Sequence, residues 1–347
     1  MSSADYGFFS RLLHRVALTS PAMLRATMQM EQNRWKDEVF DDDAMAPVFI
    51  CGLARSGSTL LLNRLMATGV FSASTYRHMP FVLAPNMWSG ASRKHRTGAR
   101  VAERAHGDGM SHSFDSEEAF EEVFWRAVGK TGGDARLFPW NAPVGAAAIE
   151  QFRGFMLSVV KAGDGARYLS KNNNNVTRIP CLLKASRTAR LVVPFRDPVH
   201  FSGSTLAQHL KFLKNHAGSP FDARYMAWLG HHEFGPGFRP FAAPGVEATQ
   251  EVTPDYLCRY WTAVYNALLQ IDDPRLHFFD YDAFCNDPLA RLSALGRVLG
   301  TSVSPTPPAN VHAANRYVRT GMTDDALAMA KQVHKALRAR AVGCAVV

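Results

Sequence analysis

PVFICGLARSGSTLLLNRLMATG, residues 47–69, is the stretch whose reading decides the fold. Val48, Phe49, Ile50 and Cys51 make a short apolar run of the kind a buried strand requires, and 59–66 reads as a helix with Leu60, Leu61 and Leu65 on one side. Between them Gly52 and Gly57 enclose four residues and Ser58-Thr59 follow, which is the spacing of a phosphate loop with serine in the lysine position. A turn of this kind aims backbone N–H groups at an anion, and the helix after it adds its positive end. Arg55 carries the missing charge inside the loop. A plain Gly/Ser-rich connection is the alternative reading, and the lost lysine argues against ordinary nucleoside triphosphate hydrolysis.

With 347 residues, 47% of them hydrophobic, the chain has material for a large core, and it reads as one elaborated α/β domain over 1–347. A helical extension at 1–46 and an irregular insertion near 214–250 are expected within it. The net charge of +9 suits anionic ligands, but the basic residues are spread along the chain instead of forming a tail, so nucleic acid is not indicated. Cys51, Cys181, Cys258, Cys285 and Cys344 form no CxxC pair, and an odd, widely spaced set is poor material for a disulfide framework or a zinc site, so reduced, mostly buried thiols are expected. Neither a signal-peptide core nor a membrane span is visible, so a cytoplasmic location is expected.

Outward from the loop, 1–46 is predicted helical, with Phe8, Phe9, Leu12, Leu13 and Val16 as an apolar stripe and Arg11, His14 and Arg15 between them. Such a stripe ordinarily packs on the protein's own core; peripheral contact with a membrane surface or a substrate lipid is the other reading. A second strand is predicted at 71–76, leading into Tyr76-Arg77-His78-Met79-Pro80, and 89–116 reads as a surface segment and candidate lid. Glu117, Glu118, Glu121 and Glu122 open a helix whose buried side is Phe120, Phe124 and Trp125. A helix at 151–163 and a strand at 167–170 lead into Lys171 and the run Asn172 to Asn175, which disfavours regular structure and reads as a loop. The strand 191–195 contains Pro194, which points to an edge or irregular position. Arg196-Asp197-Pro198 ends it, and a helix over 199–213 carries Ser204. His231-His232-Glu233 lacks the i, i+4 histidine pair of a helical zinc site, so no metal is expected there. A helix at 256–269, a strand at 276–279 ending in Asp280-Tyr281-Asp282, a helix capped by Asp287-Pro288 and a last helix at 324–340 follow. Strands alternating with helices predict an α/β fold: a P-loop-containing parallel sheet flanked by helices on both faces.

A strand ending in Arg196 that runs into a helix bearing Ser204 offers a planar fork of donors and a hydroxyl, both suited to a phosphate. Two anion sites imply a ligand with phosphates at both ends. On GLARSGST (52–59), YLSKNNNNVTRIPCLL (168–183), LVVPFRDPVHFSGS (191–204) and LHFFDYDAFCNDPLARLSALGRVLG (276–300), the chain resembles the sulfotransferase superfamily, in particular its bacterial and glycan-type members. That resemblance implies a donor, 3′-phosphoadenosine 5′-phosphosulfate (PAPS), a product, adenosine 3′,5′-bisphosphate, and no metal. It places Arg55, Ser56, Gly57, Ser58 and Thr59 around the 5′-phosphosulfate, and Arg196 and Ser204 on the 3′-phosphate. Arg316 and Arg319 fall where relatives carry a basic loop that closes over the nucleotide. His78 occupies a position that bears the base in several members, with Glu118 and Glu121 in reserve, although a structural histidine is the alternative. Lys171 is placed to assist the leaving group, or is an exposed structural lysine. The family usually has a proline near the Asn173 position, and this chain does not.

The acceptor implied is a hydroxyl or amine of a small molecule, glycolipid or carbohydrate. Two other readings stand beside this one. A P-loop kinase would use ATP and magnesium held by Asp280 or Asp282, and a non-catalytic module would bind the nucleotide without transfer.

Overall fold

The computed structural model describes residues 8–92, 102–103, 111–112, 120–129, 136–217, 220–303 and 317–343. Strands β1 (Val48–Ile50) and β2 (Phe71–Ser72) are followed by a small antiparallel pair, β3 (Ala102–Glu103) with β4 (Ser111–His112). Then come β5 (Arg167–Lys171), β6 (Arg190–Phe195) and β7 (Leu276–Asp280). The main sheet has the order β2-β5-β1-β6-β7 with all pairs parallel, as predicted. Because alternate side chains of a strand point to opposite faces, β1 feeds two cores. Phe49 joins Phe152, Phe155, Trp261 and Tyr265 on one face. Val48 and Ile50 join Leu61, Leu62, Leu65, Leu292 and Leu295 on the other. A strand buried on both faces reads as a continuous apolar run, and for that reason β1 was visible in sequence.

The helix Ser58–Met66 covers the second face and Pro254–Leu269 the first. Asp287 Oδ1 accepts from Ala290 N–H at 3.1 Å and starts Pro288–Leu299, and the last helix spans Asp324–Ala339. Among the described residues no helix is long and apolar enough to cross a membrane.

Several expectations are corrected. Pro194 does not mark an edge, because β6 lies between β1 and β7. Its neighbours explain the tolerance: Arg190 N–H and Cys51 N–H tie β1 to β6 below it, and the pairing of β1 with β6 ends at Ile50 and Val192, before Pro194. No ladder donor is therefore lost. The strand predicted at 71–76 is only two residues long, and Tyr76–His78 is a 3₁₀ turn. Among the described residues the acidic helix is Glu122–Val128, and Glu117 and Glu118 lie outside them. The insertion near 214–250 is less irregular than expected, since Pro198–Ala217 runs into it and Pro220–Trp228 is helical.

At the N-terminus the helices Phe8–Thr19, Pro21–Asn33 and Asp42–Met45 form as predicted, but the described residues of the stripe do not pack on the core. His14, Ala17 and Leu18 are buried, while Leu12, Leu13 and Val16 face solvent. Leu18, Leu24, Met28 and Met45 belong to the main core cluster, so the extension is packed into it.

The asparagine run is the largest departure. Asn173–Thr177 is a 3₁₀ turn, and Asn172 to Asn175 are all buried. Buried amides need partners, and two buried glutamates supply them. Asn175 Nδ2 donates to Glu121 Oε1 at 2.7 Å and Asn172 Nδ2 to Glu122 Oε2 at 3.0 Å. Arg178 closes the network with paired bonds to Glu122 at 2.6 and 2.7 Å. Removing one partner of such a pair leaves an uncompensated buried charge, so Glu122→Ala is expected to destabilise by about 3–5 kcal/mol. Urea denaturation measures this, and a loss below about 1 kcal/mol, the range of an exposed pair, would show that the network is solvated.

Candidate functional site

The carboxyl ends of β1, β5 and β6 converge on the phosphate loop. Gly52 is pressed against β6: a Cβ there would lie 2.9 Å from the Pro194 carbonyl oxygen. Arg55 and Gly57 both take left-handed backbone, with φ of 69° and 85°. At Gly57 a Cβ would fall 2.0 Å from Tyr281 Cδ2, so this ring requires the glycine as much as the turn does. Ser56 is fully buried, and its Oγ lies 3.2 Å from Tyr265 Oη. Tyr265 gives its own proton to the Pro194 carbonyl at 2.7 Å, so the serine is the donor to the tyrosine. Burial pushes the Tyr265 phenol well above its ordinary range, which keeps this link protonated. Gly57 caps the following helix without a side-chain bond, so the first-turn N–H groups have neither an intrahelical acceptor nor a side-chain cap.

The second anion module lies against the first. Asp197 Oδ1 accepts from Val199 and His200 N–H at 2.8 and 3.1 Å, which starts the long helix, and Asp282 Oδ2 accepts from Asp197 N–H at 2.6 Å. Arg196 is 5% exposed, with its guanidinium 5.6 Å from the centre of the Tyr281 ring. Its Nη1 donates to the Arg55 carbonyl at 3.4 Å, whereas its Nε and Nη2 are buried with no hydrogen-bond partner. Arg55 Nε donates to Ser204 Oγ at 3.0 Å. Arg55, Ser56, Gly57, Ser58, Thr59, Arg196 and Ser204 are thus brought together. This basic cleft, with orphaned guanidinium nitrogens and a loop held open by two left-handed residues, fits a ligand carrying two anionic groups.

Tyr317 lies on the helix that bears Ser204, since a Cβ on Gly203 would fall 2.4 Å from its Cγ. Arg319 is exposed and ion-paired with Asp324, and Arg316 lies outside the described residues. Lys171 ends β5 beside Ile50 of β1 and is buried, not exposed.

His78 and Glu121 are each engaged by partners within the fold. His78 lies in the 3₁₀ turn after β2. It is buried, and its Nδ1 accepts the Thr75 N–H at 3.2 Å, so the neutral ring carries its proton on Nε2 and has no basic nitrogen to offer. Burial, with the Arg77 charge beside it, lowers its pKa to about 4. Glu121 is surrounded by donors: Trp125 Nε1 at 2.8 Å, Asn175 Nδ2 at 2.7 Å and Tyr168 Oη at 2.9 Å. Glu118 lies outside the described residues. Asp280 and Asp282, the magnesium ligands of the kinase reading, are engaged elsewhere. Asp280 Oδ1 accepts from Ala283 N–H at 2.9 Å and its Oδ2 lies 3.2 Å from Arg338 Nε, while Asp282 holds Asp197. Among the described residues no three His, Cys, Asp or Glu side chains are grouped to hold a metal ion.

A second cleft escapes the sequence reading. Leu53 and Ala54 of the loop, Asn174, Thr205 and Glu233 line it together. The His231-His232-Glu233 run signals chemistry in the sequence, but zinc spacing is the wrong test for it. Only the fold shows Asn173 Nδ2 donating to Glu233 Oε1 at 2.7 Å.

His78 also carries a pH signature. A group whose pKa falls from 6.5 to about 4 on folding is protonated first in the unfolded chain, so its contribution to stability is present above pH 6.5 and is lost as the pH falls towards 4. At about 1.4 kcal/mol per unit the loss is roughly 3 kcal/mol. Thermal unfolding between pH 7 and 4 is expected to show a shallower decline for His78→Gln than for the unaltered chain, and parallel curves would refute the assignment.

The sequence matches the model of the sulfotransferase family over residues 47–305, most of the chain. Among solved structures, the sulfotransferase STF9 of Mycobacterium avium is similar at a TM-score of 0.48 and 14% identity, over 95% of this chain and 78% of that one. The sulfotransferase STF1 of Mycobacterium tuberculosis gives 0.47 and 12%, over 97% and 88%. No curated protein sequence matches the chain. On the family match, the chain belongs to the sulfotransferase family.

Proposed function

We propose that the protein transfers a sulfuryl group from PAPS to a hydroxyl or amine of a small-molecule, glycolipid or carbohydrate acceptor, releasing adenosine 3′,5′-bisphosphate. The observation that carries this reading is the buried Arg196, with two unpartnered guanidinium nitrogens, joined through Arg55 to Ser204 and to the phosphate loop. A nucleotide phosphorylated at both ends matches both modules. When bound, such a donor supplies a sulfuryl group on a phosphate leaving group.

Arg55, Ser56, Gly57, Ser58 and Thr59 hold the 5′ end, through N–H groups of the loop and the helix start. Arg196 and Ser204 hold the 3′-phosphate, and Arg316 and Arg319 are assigned to the same nucleotide on the resemblance of their segment alone. Lys171, buried at the end of the strand beside β1, adds positive charge for the leaving group. Because these cations replace the P-loop lysine, the site favours the bisphosphate over a triphosphate with its magnesium.

Calorimetry with adenosine 3′,5′-bisphosphate and with ATP, each with and without magnesium, tests this. Magnesium-independent binding of the bisphosphate is expected, and preference for ATP with magnesium would overturn the reading. A hydrogen bond to a charged group contributes about 1.5–3 kcal/mol, so Arg196→Ala is expected to weaken bisphosphate binding roughly 10- to 150-fold. Unchanged affinity would remove the second anion site.

A further inference from the structure

The N-terminal helices carry an apolar surface that the core does not use. In Phe8–Thr19 the residues His14, Ala17 and Leu18 are buried, and the His14 ring lies 5.9 Å from that of Tyr225. At 3.6 residues per turn the opposite side of the helix carries Leu12, Leu13 and Val16 within an arc of about 100°. They are 46%, 39% and 48% exposed, so a side as apolar as a core stripe faces solvent. Met23 and Met30, seven residues apart on one side of Pro21–Asn33, are exposed as well. Of the twelve large hydrophobics exposed among the described residues, these five fall within 12–30, a concentration that scattered surface residues would not give.

The charge around them has one sign. From Tyr6 to Met30 the sequence holds Arg11, Arg15 and Arg25 and no aspartate or glutamate. Arg15 and Arg25 are exposed. The first acid beyond them, Glu31, is turned inward and fully buried. Its Oε1 accepts from the Asn86 N–H and Nδ2 at 3.1 and 2.6 Å, and its Oε2 from the Met87 N–H at 3.1 Å, so it neutralises nothing on the surface. Arg25 Nη1 donates to the Ala127 carbonyl at 3.1 Å, and Leu18, Leu24 and Met28 lie in the main core. The helices are thereby fastened from beneath, and the apolar face is presented ready-made.

We propose that this face docks on a membrane surface rich in anionic lipid, with the helix Phe8–Thr19 lying in the plane of the interface. Leu12, Leu13 and Val16 enter the boundary between headgroups and acyl chains, while Arg15 and Arg25 meet the lipid phosphates. At 12 residues the helix is too short to span a bilayer, which takes about 20. A second copy of the chain is a poorer occupant, because a two-fold contact sets the same arginines against one another with no acid to receive them. An anionic lipid surface satisfies the apolar residues and the arginines together.

The test is sedimentation of the full chain with vesicles of phosphatidylcholine alone and of phosphatidylcholine containing one-third phosphatidylglycerol. Binding to the anionic vesicles is expected, with little to the neutral ones, and it should weaken as salt rises from about 0.05 to 0.5 M. Exposing or burying one such side chain changes a partition about 10-fold or more, so Leu12→Gln combined with Val16→Gln is expected to lower binding by at least that factor. Arg15→Gln, which keeps the apolar residues, should lower it roughly 5-fold, the weight of one basic residue at an anionic surface. Circular dichroism and the thermal midpoint of each variant check that the fold is kept; if the double variant loses it, Arg15→Gln decides. Absence of binding to the anionic vesicles, equal binding to both kinds, or binding unchanged in the folded variants would overturn the proposal. So would a dimer, seen by light scattering of the unaltered chain, that the double variant converts to a monomer, since the face would then serve self-association.

Discussion

Arg55 Nε donating to Ser204 Oγ at 3.0 Å joins residues 149 apart in the chain, and the site depends on that contact. It sets the phosphate loop at the end of β1 against the helix that follows β6, so the two anion modules form one surface. The bond alone is worth only a few kcal/mol at most. Its consequence is geometric, because the loop that offers it is fixed from three directions. Tyr281 packs where a Gly57 side chain would be, Tyr265 receives the Ser56 proton, and the Arg55 carbonyl accepts from Arg196. A loop held by neighbouring elements needs little rearrangement to receive a ligand, and preorganised donors are worth most where charge develops.

The polar core under β5 follows the same logic with higher electrostatic stakes. Glu121 and Glu122 are buried beneath an asparagine turn, an arrangement that would be ruinous if any donor were missing. The amides divide the work: Asn175 and Asn172 face the two glutamates, Asn174 Nδ2 reaches the Gly230 carbonyl at 3.0 Å, and Asn173 reaches Glu233. Gly230 itself has φ of 78° and no room for a side chain, since a Cβ would meet Glu122 Cγ at 2.2 Å. The turn after β5 is therefore tied to the segment that carries Glu233, and Lys171 and Glu233 are positioned by one rigid network.

The loop was legible in sequence because its signal is local. Glycine spacing, a continuous apolar strand and a helix start lie within 47–69, and β1 and Ser58–Met66 form there. The parallel sheet was legible from alternation, and Arg196 and Ser204 from the resemblance of their segment. What escaped was non-local. Pro194 reads as an edge residue until the end of the β1 pairing at Val192 is known. Four asparagines read as solvated loop because nothing near them announces two buried glutamates some fifty residues upstream. His78 occupies a suggestive position after β2, yet its Nδ1 is taken by the Thr75 N–H, a contact that sequence does not announce. Glu233 shows the converse: its neighbours in sequence suggest a failed metal site, and its partner in space is Asn173.

The serine at position 58 gains its meaning from where charge has been placed instead. In a triphosphate site the P-loop lysine and a metal ion share the work of neutralising phosphates. Here the acids at the carboxyl edge of the sheet serve the scaffold: Asp282 holds the Asp197 backbone, and Asp280 caps its helix and pairs with Arg338. By bracing Asp197, Asp282 fixes the turn that carries Arg196 to the loop. Positive charge then comes from Arg55, Arg196 and Lys171, on three different segments, and each is held by its strand end or its loop. A single lysine at position 58 would concentrate charge at the helix start. Three side chains instead spread the charge over the loop and the ends of β5 and β6.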